Sequence, residues 1–291
     1  MNELSLREKL QSDNANTVIS TLTGLKDTGT LSDIPHILPL TKSENVIAQK
    51  ASITAICAII REKLVSDFHE LAPEIRKKLG ALMGSLNPEI VKEISKDIFS
   101  TDENRRLRAV QTLGLLKKNP QIRTTLAKLV TDRDVKIRAT AVNLLGKMIG
   151  PNDQEIILSL LNDEDKRVRA NTVEALESLG NKRMMPILMR FRKDPSNRIR
   201  GNVLKALFFL GNVDIGNDII DMLTINDNFM IASALWVVTQ TKINTPVIEE
   251  KSGYFLISDN EMVRNNAKNA LTALNTPRTS GYLAYLGDVY A

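Results

Sequence analysis

The sequence predicts an all-α fold, a solenoid of stacked antiparallel helix pairs. Three observations carry this expectation: a unit of about 31 residues that recurs along the chain, an apolar spacing inside each unit that fits one face of a helix, and an aliphatic core composition. Hydrophobic residues make up 43% of the 291 and charged residues 25%, the balance of a folded chain with a core. Aromatic residues are only 4%, while Leu, Ile, Val and Ala are plentiful, which favours helices over a β-sandwich. A repeat array needs only contacts between neighbouring units, so this length does not have to be divided into globular domains.

The repeat is read from eight anchor positions, Ala48, Arg76, Arg106, Arg138, Arg169, Arg200, Ile231 and Arg264, spaced 28 to 33 residues apart, six of them arginine. The residue before the anchor is apolar in all but one unit, as with Ile137, Val168, Ile199 and Val263; the exception is Arg105. Three places after the anchor stand Ala109, Ala141, Thr172, Val203, Ala234 and Ala267; seven after stand Leu113, Leu145, Leu176, Leu207, Val238 and Leu271. These offsets trace one face of a 3.6-residue period and predict the second helix of each unit.

The start of that helix is predicted four residues before the anchor, at Glu44, Asp102, Asp134, Asp165, Ser196, Asp227 and Asn260, mostly residues whose side-chain oxygen can accept from the first free amides. Ala72 breaks the pattern, although Pro73 after it suits a first helical position. An anchor arginine one turn on is placed to pair with such an acid in its own or the next unit. Gly150, Gly180 and Gly211 close three of these helices, where the chain has to turn left-handed. The first helix of the central units shows in the apolar pairs Leu126 and Leu129, Ile157 and Leu160, Leu188 and Phe191, and Ile219 and Met222.

Two such helices cannot bury their apolar faces alone, so successive units have to stack. Stretches such as Asp134-Val135-Lys136-Ile137-Arg138-Ala139 and Asp165-Lys166-Arg167-Val168-Arg169-Ala170 resemble the turn and second helix of HEAT-like repeats, the type also found in phycobilin (PBS) lyases. The resemblance implies a right-handed superhelical solenoid of HEAT-like antiparallel helix pairs. It divides the chain into divergent N-terminal helical repeats at 1–99, HEAT-like repeats at 100–275 and a terminal half-repeat or cap at 276–291.

The parts of an active site are scarce. The chain has two histidines and one cysteine, and lacks a His-Glu-x-x-His, a Cys-x-x-Cys or a phosphate loop. His36 and His69 lie about one repeat apart, but two ligands fall short of the three or four of a typical metal site. Cys57, inside an apolar run, reads as a buried inert thiol. Deoxyhypusine hydroxylases of similar fold carry several His-Glu pairs as iron ligands, whereas this chain has only His69-Glu70. No cofactor and no catalytic residue are expected. No apolar stretch approaches a membrane span and the N-terminus lacks a signal-peptide layout, so the expected location is cytoplasmic.

What remains is binding. The formal net charge is +5, yet residues 101–205 hold 22 basic against 12 acidic side chains. Most of these alternate in sign near the turns and read as a solvated ladder, while Lys182, Arg183, Arg190, Arg192 and Lys193 form a purely basic cluster. The fifth position after the anchor is expected on an inner, concave surface, where Asn143, Glu174, Lys205 and Trp236 stand. All four tyrosines, Tyr254, Tyr282, Tyr285 and Tyr290, fall in the last 40 residues and mark a C-terminal partner surface or an aromatic cap. The sequence therefore predicts a non-enzymatic scaffold for an unidentified protein partner, with Asn143, Lys205, Trp236, Arg190, Arg192, Lys193, Tyr282 and Tyr285 as contact residues. The alternative is a nucleic-acid-binding helical-repeat protein, with a DNA glycosylase-like activity as its enzymatic form.

Overall fold

The computed structural model describes residues 5–150 and 155–290, with side chains described as far as Tyr285. The N-terminal Met1 to Leu4 and the side chain of Tyr290 lie outside it. Eighteen α-helices and no strand occur among the described residues. They are α1 Leu6–Leu10, α2 Ala15–Thr28, α3 Ile34–Ile37, α4 Val46–Ser66, α5 Pro73–Leu86, α6 Ile90–Ile98, α7 Glu103–Leu113, α8 Pro120–Leu129 and α9 Val135–Gly146. There follow α10 Glu155–Leu158, α11 Lys166–Ser178, α12 Met185–Met189, α13 Asn197–Gly211, α14 Gly216–Thr224, α15 Asn228–Thr241, α16 Pro246–Tyr254, α17 Glu261–Leu274 and α18 Pro277–Tyr290. Short 3-10 turns extend several first helices, as Ser159–Asn162 and Phe255–Ile257 do. The chain forms two compact units, Met1–Ala141 and Val142–Ala291.

In the second unit α11, α13, α15 and α17 pack side by side as second helices, while α14, α16 and α18 pack in succession as first helices. The predicted stripe is what they bury: Val168, Thr172, Leu176, Ile199, Val203, Leu207, Ala234, Val238, Val263, Ala267 and Leu271 are all at 0% exposure. The valine, isoleucine and leucine side chains enclosed in this way each stabilise the fold by about 1.5–3 kcal/mol relative to exposure. Small residues at the seam let the helices approach closely; a Cβ added to Gly146 would sit 2.4 Å from that of Ala175.

The first unit follows the same plan with two departures from the sequence expectation. First, its opening register is shifted by one residue. Asn45, not Glu44, caps α4, its side-chain oxygen accepting from Ile47 N–H at 3.0 Å and Ala48 N–H at 3.1 Å. The anchor is consequently Gln49, not Ala48, and the inward stripe becomes Ala48, Ser52, Ile56 and Ile59, all buried, while Ile47 is 64% exposed. Second, α5, which carries the expected anchor Arg76, does not stand in the row of second helices. α4 touches α7 directly, and α6 is the partner of α7. α5 lies along α4 and meets the segment after α7 through Gly80, where a Cβ would approach that of Leu115 to 2.4 Å. Ile75 is accordingly left 41% exposed, and Arg76 lies 4.5 Å over the Phe68 ring.

The turns between paired helices are built alike. Two residues before the helix cap a short side chain accepts from the cap's own amide: Ser43 from Asn45, Ser100 from Asp102, Asp132 from Asp134, Asp163 from Asp165, Asp194 from Ser196 and Ser258 from Asn260, all at 2.8–3.3 Å. The cap then accepts from the first turn of the helix, as Asp165 does from Arg167 N–H at 2.7 Å and Asp227 from Met230 N–H at 2.8 Å. Ser196 makes no such bond. Four of the eight anchors bind main chain in the turn. Arg138 donates to the carbonyls of Asp132 and Arg133, Arg169 to those of Asp163 and Glu164, Arg264 to that of Ser258, and Gln49 to that of Thr41. These donors satisfy turn carbonyls that no helix ladder reaches. Arg106 and Arg200 have acidic partners one unit on, the Asp132 carboxylate at 2.8 Å and the Asp221 carboxylate at 3.9 Å. At the far ends of the helices Gly180 is left-handed with φ 67°, whereas after Gly211 the left-handed residue is Asn212 with φ 51°.

Two measurements check these assignments. Leu207→Ala is expected to cost about 2–5 kcal/mol in urea unfolding, the range for emptying a fully enclosed leucine site. Asp165→Ala is expected to cost about 1 kcal/mol through loss of the cap. The Arg167 side chain, followed by main-chain amides, lowers the Asp165 pKa from 3.8 to about 2, so its stabilisation is present above 3.8 and lost as pH falls through about 2. Asp165→Asn keeps a capping oxygen and is expected to lose that acid dependence.

Candidate functional site

Within the second unit, the face of the second helices opposite the core carries a groove of ≈ 360 Å³. Its walls come from four successive helices: Glu174 on α11; Asn197, Arg198, Gly201 and Asn202 on α13; Phe229, Ala232, Ser233 and Trp236 on α15; Met262 and Asn266 on α17. Asn197 apart, which stands one place earlier, these lie at offsets −2, +1, +2 and +5 from the anchors. At +5 Asn143 is exposed, and Glu174, Lys205 and Trp236 are half-buried, on the side away from the stripe. Sequence reasoning missed the −2 and +2 positions. They precede +5 by about two helical turns and one, and so share its face. The signal lay in the same offsets that mark the core.

Polar side chains link the helices across this face. Arg198 donates to Asn171 Oδ1 at 2.9 Å and Glu174 Oε1 at 3.1 Å, and Asn202 Nδ2 donates to the same Glu174 oxygen at 2.7 Å. Asn197 Nδ2 donates to Ser233 Oγ at 2.8 Å and to the Phe229 carbonyl at 3.3 Å. Lys205 Nζ lies 3.1 Å from Glu177 Oε2 and 5.4 Å from the Trp236 ring centre, joining α11, α13 and α15 through one ammonium. Burial pushes the Glu177 carboxyl above its ordinary pKa, and Lys205 opposes this only in part. Phe229 is 64% exposed at the rim, and Trp236 occupies on α15 the repeat position that Lys205 holds on α13 and Glu174 on α11. The groove thus combines an aromatic and thioether surface with amides, and its charges are already paired.

The other expected contact residues are not brought here. Arg190 and Lys193 are exposed beside the turn after α12, with Lys182 and Arg183 exposed before it. Arg192 departs from that set. Its guanidinium binds the buried Asp218 carboxylate, Nε at 2.9 Å, and the Asp214 carbonyl at 2.6 Å, tying its turn to α14. Tyr282 is half-buried against Gly253, where its ring carbons lie 3.0 Å from the place of a Cβ, so it fastens α18 to α16. Tyr285 is 74% exposed and Tyr254 71%.

Cys57 is buried, its pKa pushed up to about 12 chiefly by that burial, and its thiol approaches the Met83 carbonyl at 3.9 Å. Among the described residues no cluster of three or more His, Cys, Asp or Glu side chains is placed to hold a metal, and no helix is long and apolar enough to cross a membrane. A double-mutant cycle of Lys205→Met and Trp236→Leu is expected to return a coupling of about 0.5–1 kcal/mol, as for a partly exposed cation–π pair. Additive effects would mean that the ammonium and the indole do not interact.

Comparison with known proteins bears on the fold. Residues 154–238 match the family model of HEAT repeats. No curated protein matches the sequence. Among solved structures, Kap121p is similar at 14% identity and a TM-score of 0.51, over 98% of this chain and 38% of that one. A chain from the structure of Kap95p with RanGDP is similar at 12% identity and a TM-score of 0.50, over 97% of this chain and 42% of that one. The complex of CpcE and CpcF of phycocyanin lyase from Nostoc sp. PCC7120 gives 14% identity and a TM-score of 0.48, over 79% of this chain and 94% of that one. Residues 154–238 thus carry HEAT repeats, and the likeness to Kap121p and to the chain from the Kap95p–RanGDP structure makes the fold a HEAT-like array of paired helices.

Proposed function

We propose that this protein is a non-enzymatic interaction module that docks a protein partner in the second-helix groove of residues 142–291. The observation that carries the reading is the exposure of Phe229 beside Trp236 and Met262 on a face where the core needs no apolar side chains. Aromatic and methionine side chains at a rim of amides are the composition of a protein contact. Lys205 contributes by orienting the indole, and Asn143 continues the face onto α9. Tyr285, exposed on α18, is a separate candidate contact, while the packing of Tyr282 on Gly253 favours the cap role for that residue.

A salt-insensitive capture of one protein by the wild-type chain, weakened at least tenfold by Phe229→Ala and Trp236→Ala together, is the expected result. Undiminished capture by the double variant, with its helical signal unchanged, removes the groove from the function.

The second reading, nucleic-acid binding, is favoured by Lys182, Arg183, Arg190 and Lys193, which are exposed and have no acidic partner among the described residues. Arg192, bound to Asp218, supports it less than the sequence cluster suggested. On this reading affinity for a DNA duplex falls steeply with salt, and Arg190→Ala with Lys193→Ala reduces the log–log slope by roughly 0.9 for each phosphate that is no longer neutralised. No retention at low salt excludes it.

A further inference from the structure

We infer that the occupant of the groove is an extended, uncharged peptide segment in a polyproline-like conformation, lying across α11, α13, α15 and α17 and held through its main chain. This rests on the docking function proposed above and narrows it to one class of ligand.

The hydrogen-bonding capacity left open on the groove is of two kinds. Asn197 and Asn202 commit their amide N–H groups to neighbouring helices, and Asn266 donates to the Met262 carbonyl of its own helix at 2.8 Å. Their three side-chain carbonyl oxygens have no donor among the described residues, and on the donor side the Trp236 indole N–H and the Nε and Nη1 groups of Arg198, which pairs through Nη2 alone, have no acceptor among them. The groove therefore offers fixed acceptors on α13 and α17 with a donor on α15 between them. A peptide main chain out of regular structure carries both an unmade N–H and an unmade C=O at nearly every residue. A helix has already used both, so it gains nothing from these groups. A phosphate backbone has acceptors only, and beside Arg198, already paired with Glu174, it would meet that carboxylate and three amide oxygens.

Charge points the same way. Glu174 is paired with Arg198 and Glu177 with Lys205, each at 3.1 Å. An uncharged segment leaves both pairs in place, whereas a charged one has to displace a partner already at hand.

Spacing supplies the conformation. Packed helices lie about 8–10 Å apart, so the groove repeats its chemistry at that interval. A polyproline II segment has three residues per turn and rises about 3.1 Å per residue, so the same face returns every ~9.3 Å. A β-strand returns the same face every two residues, about 6.6–6.8 Å, and falls out of step after one helix. Between the amide rows the +1 position is Ala170, Gly201 and Ala232 on α11, α13 and α15, and a Cβ on Gly201 would meet only ordinary contacts at 3.6 Å, so on these three helices no bulky side chain holds a main chain off; on α17 the position is the exposed Asn265. Four helices span three intervals, roughly 24–30 Å, which about nine residues of such a segment cover.

The probe is a displayed library of random 12-residue peptides, selected on the full wild-type chain and counter-selected on Phe229→Ala. Phe229 is exposed, so that variant keeps its fold. The expected winners are uncharged, carry proline, and repeat apolar residues every third position. Binding of the synthetic winner is expected to fall at least tenfold on main-chain N-methylation at a central residue, and likewise with Asn266→Leu. Winners with apolar residues at i, i+3, i+4 and i+7 that bind as helices, indifferent to N-methylation, overturn the extended mode and leave groove docking intact. No groove-dependent enrichment overturns it too, while the partner capture with Phe229→Ala and Trp236→Ala judges docking independently.

Discussion

An amphipathic helix in water has to cover its apolar stripe with something, and here each second helix covers it with its neighbours. In the second unit Leu176, Leu207, Val238 and Leu271 occupy the same turn of successive helices, and each is completely enclosed. That shared seam sets the pitch at which everything else recurs. Because the stripe takes up one side of each helix, the −2, +2 and +5 positions are turned outward together, and the groove is a by-product of closing the core.

The seam stays in register because the turns are rigid. A side chain at −6 fixes the approach to the helix, the cap residue fixes its first turn, and the anchor ties the two helices by donating to turn carbonyls. A carbonyl buried without a donor costs about 1–3 kcal/mol, which gives the anchor a reason to be arginine independent of any acid nearby. The glutamine at 49 meets the same need with its amide at Thr41. The alternating acids near the turns serve the helix starts; Asp165, whose carboxyl is also held by Arg167, does both.

Stability and recognition draw on different interactions on the two sides of a second helix. On the core side the interactions are apolar and interchangeable among aliphatic residues. On the open side the helices are joined by amides and ion pairs, Asn197 to Ser233 and Arg198 to Glu174 among them, that hold side chains in fixed orientations without burying them. A surface ordered in this way loses little freedom when something binds, and that preorganisation favours recognition. Trp236, held beside Lys205 on the groove wall, has its position set before any partner arrives.

The chain's own residue order determined the repeat length, the second-helix stripe, most of the helix caps and the open face at +5, because each follows from local geometry: a helix has 3.6 residues per turn whatever surrounds it, and a short oxygen-bearing side chain reaches only the amides just ahead of it. Tertiary structure alone decided three matters. It set the first anchor at Gln49, since Ala48 and Gln49 fit the spacing alike and only burial against α2 separates them. It laid α5 along α4, a choice made by the close approach of Gly80 to Leu115, far along the chain. It also sorted the basic residues, binding Arg192 to Asp218, Lys205 to Glu177 and Arg198 to Glu174 while leaving Arg190 and Lys193 free of acids among the described residues. Charges on the chain act through distance in space, and one-dimensional spacing carries no record of which carboxylate a neighbouring helix brings within 4 Å.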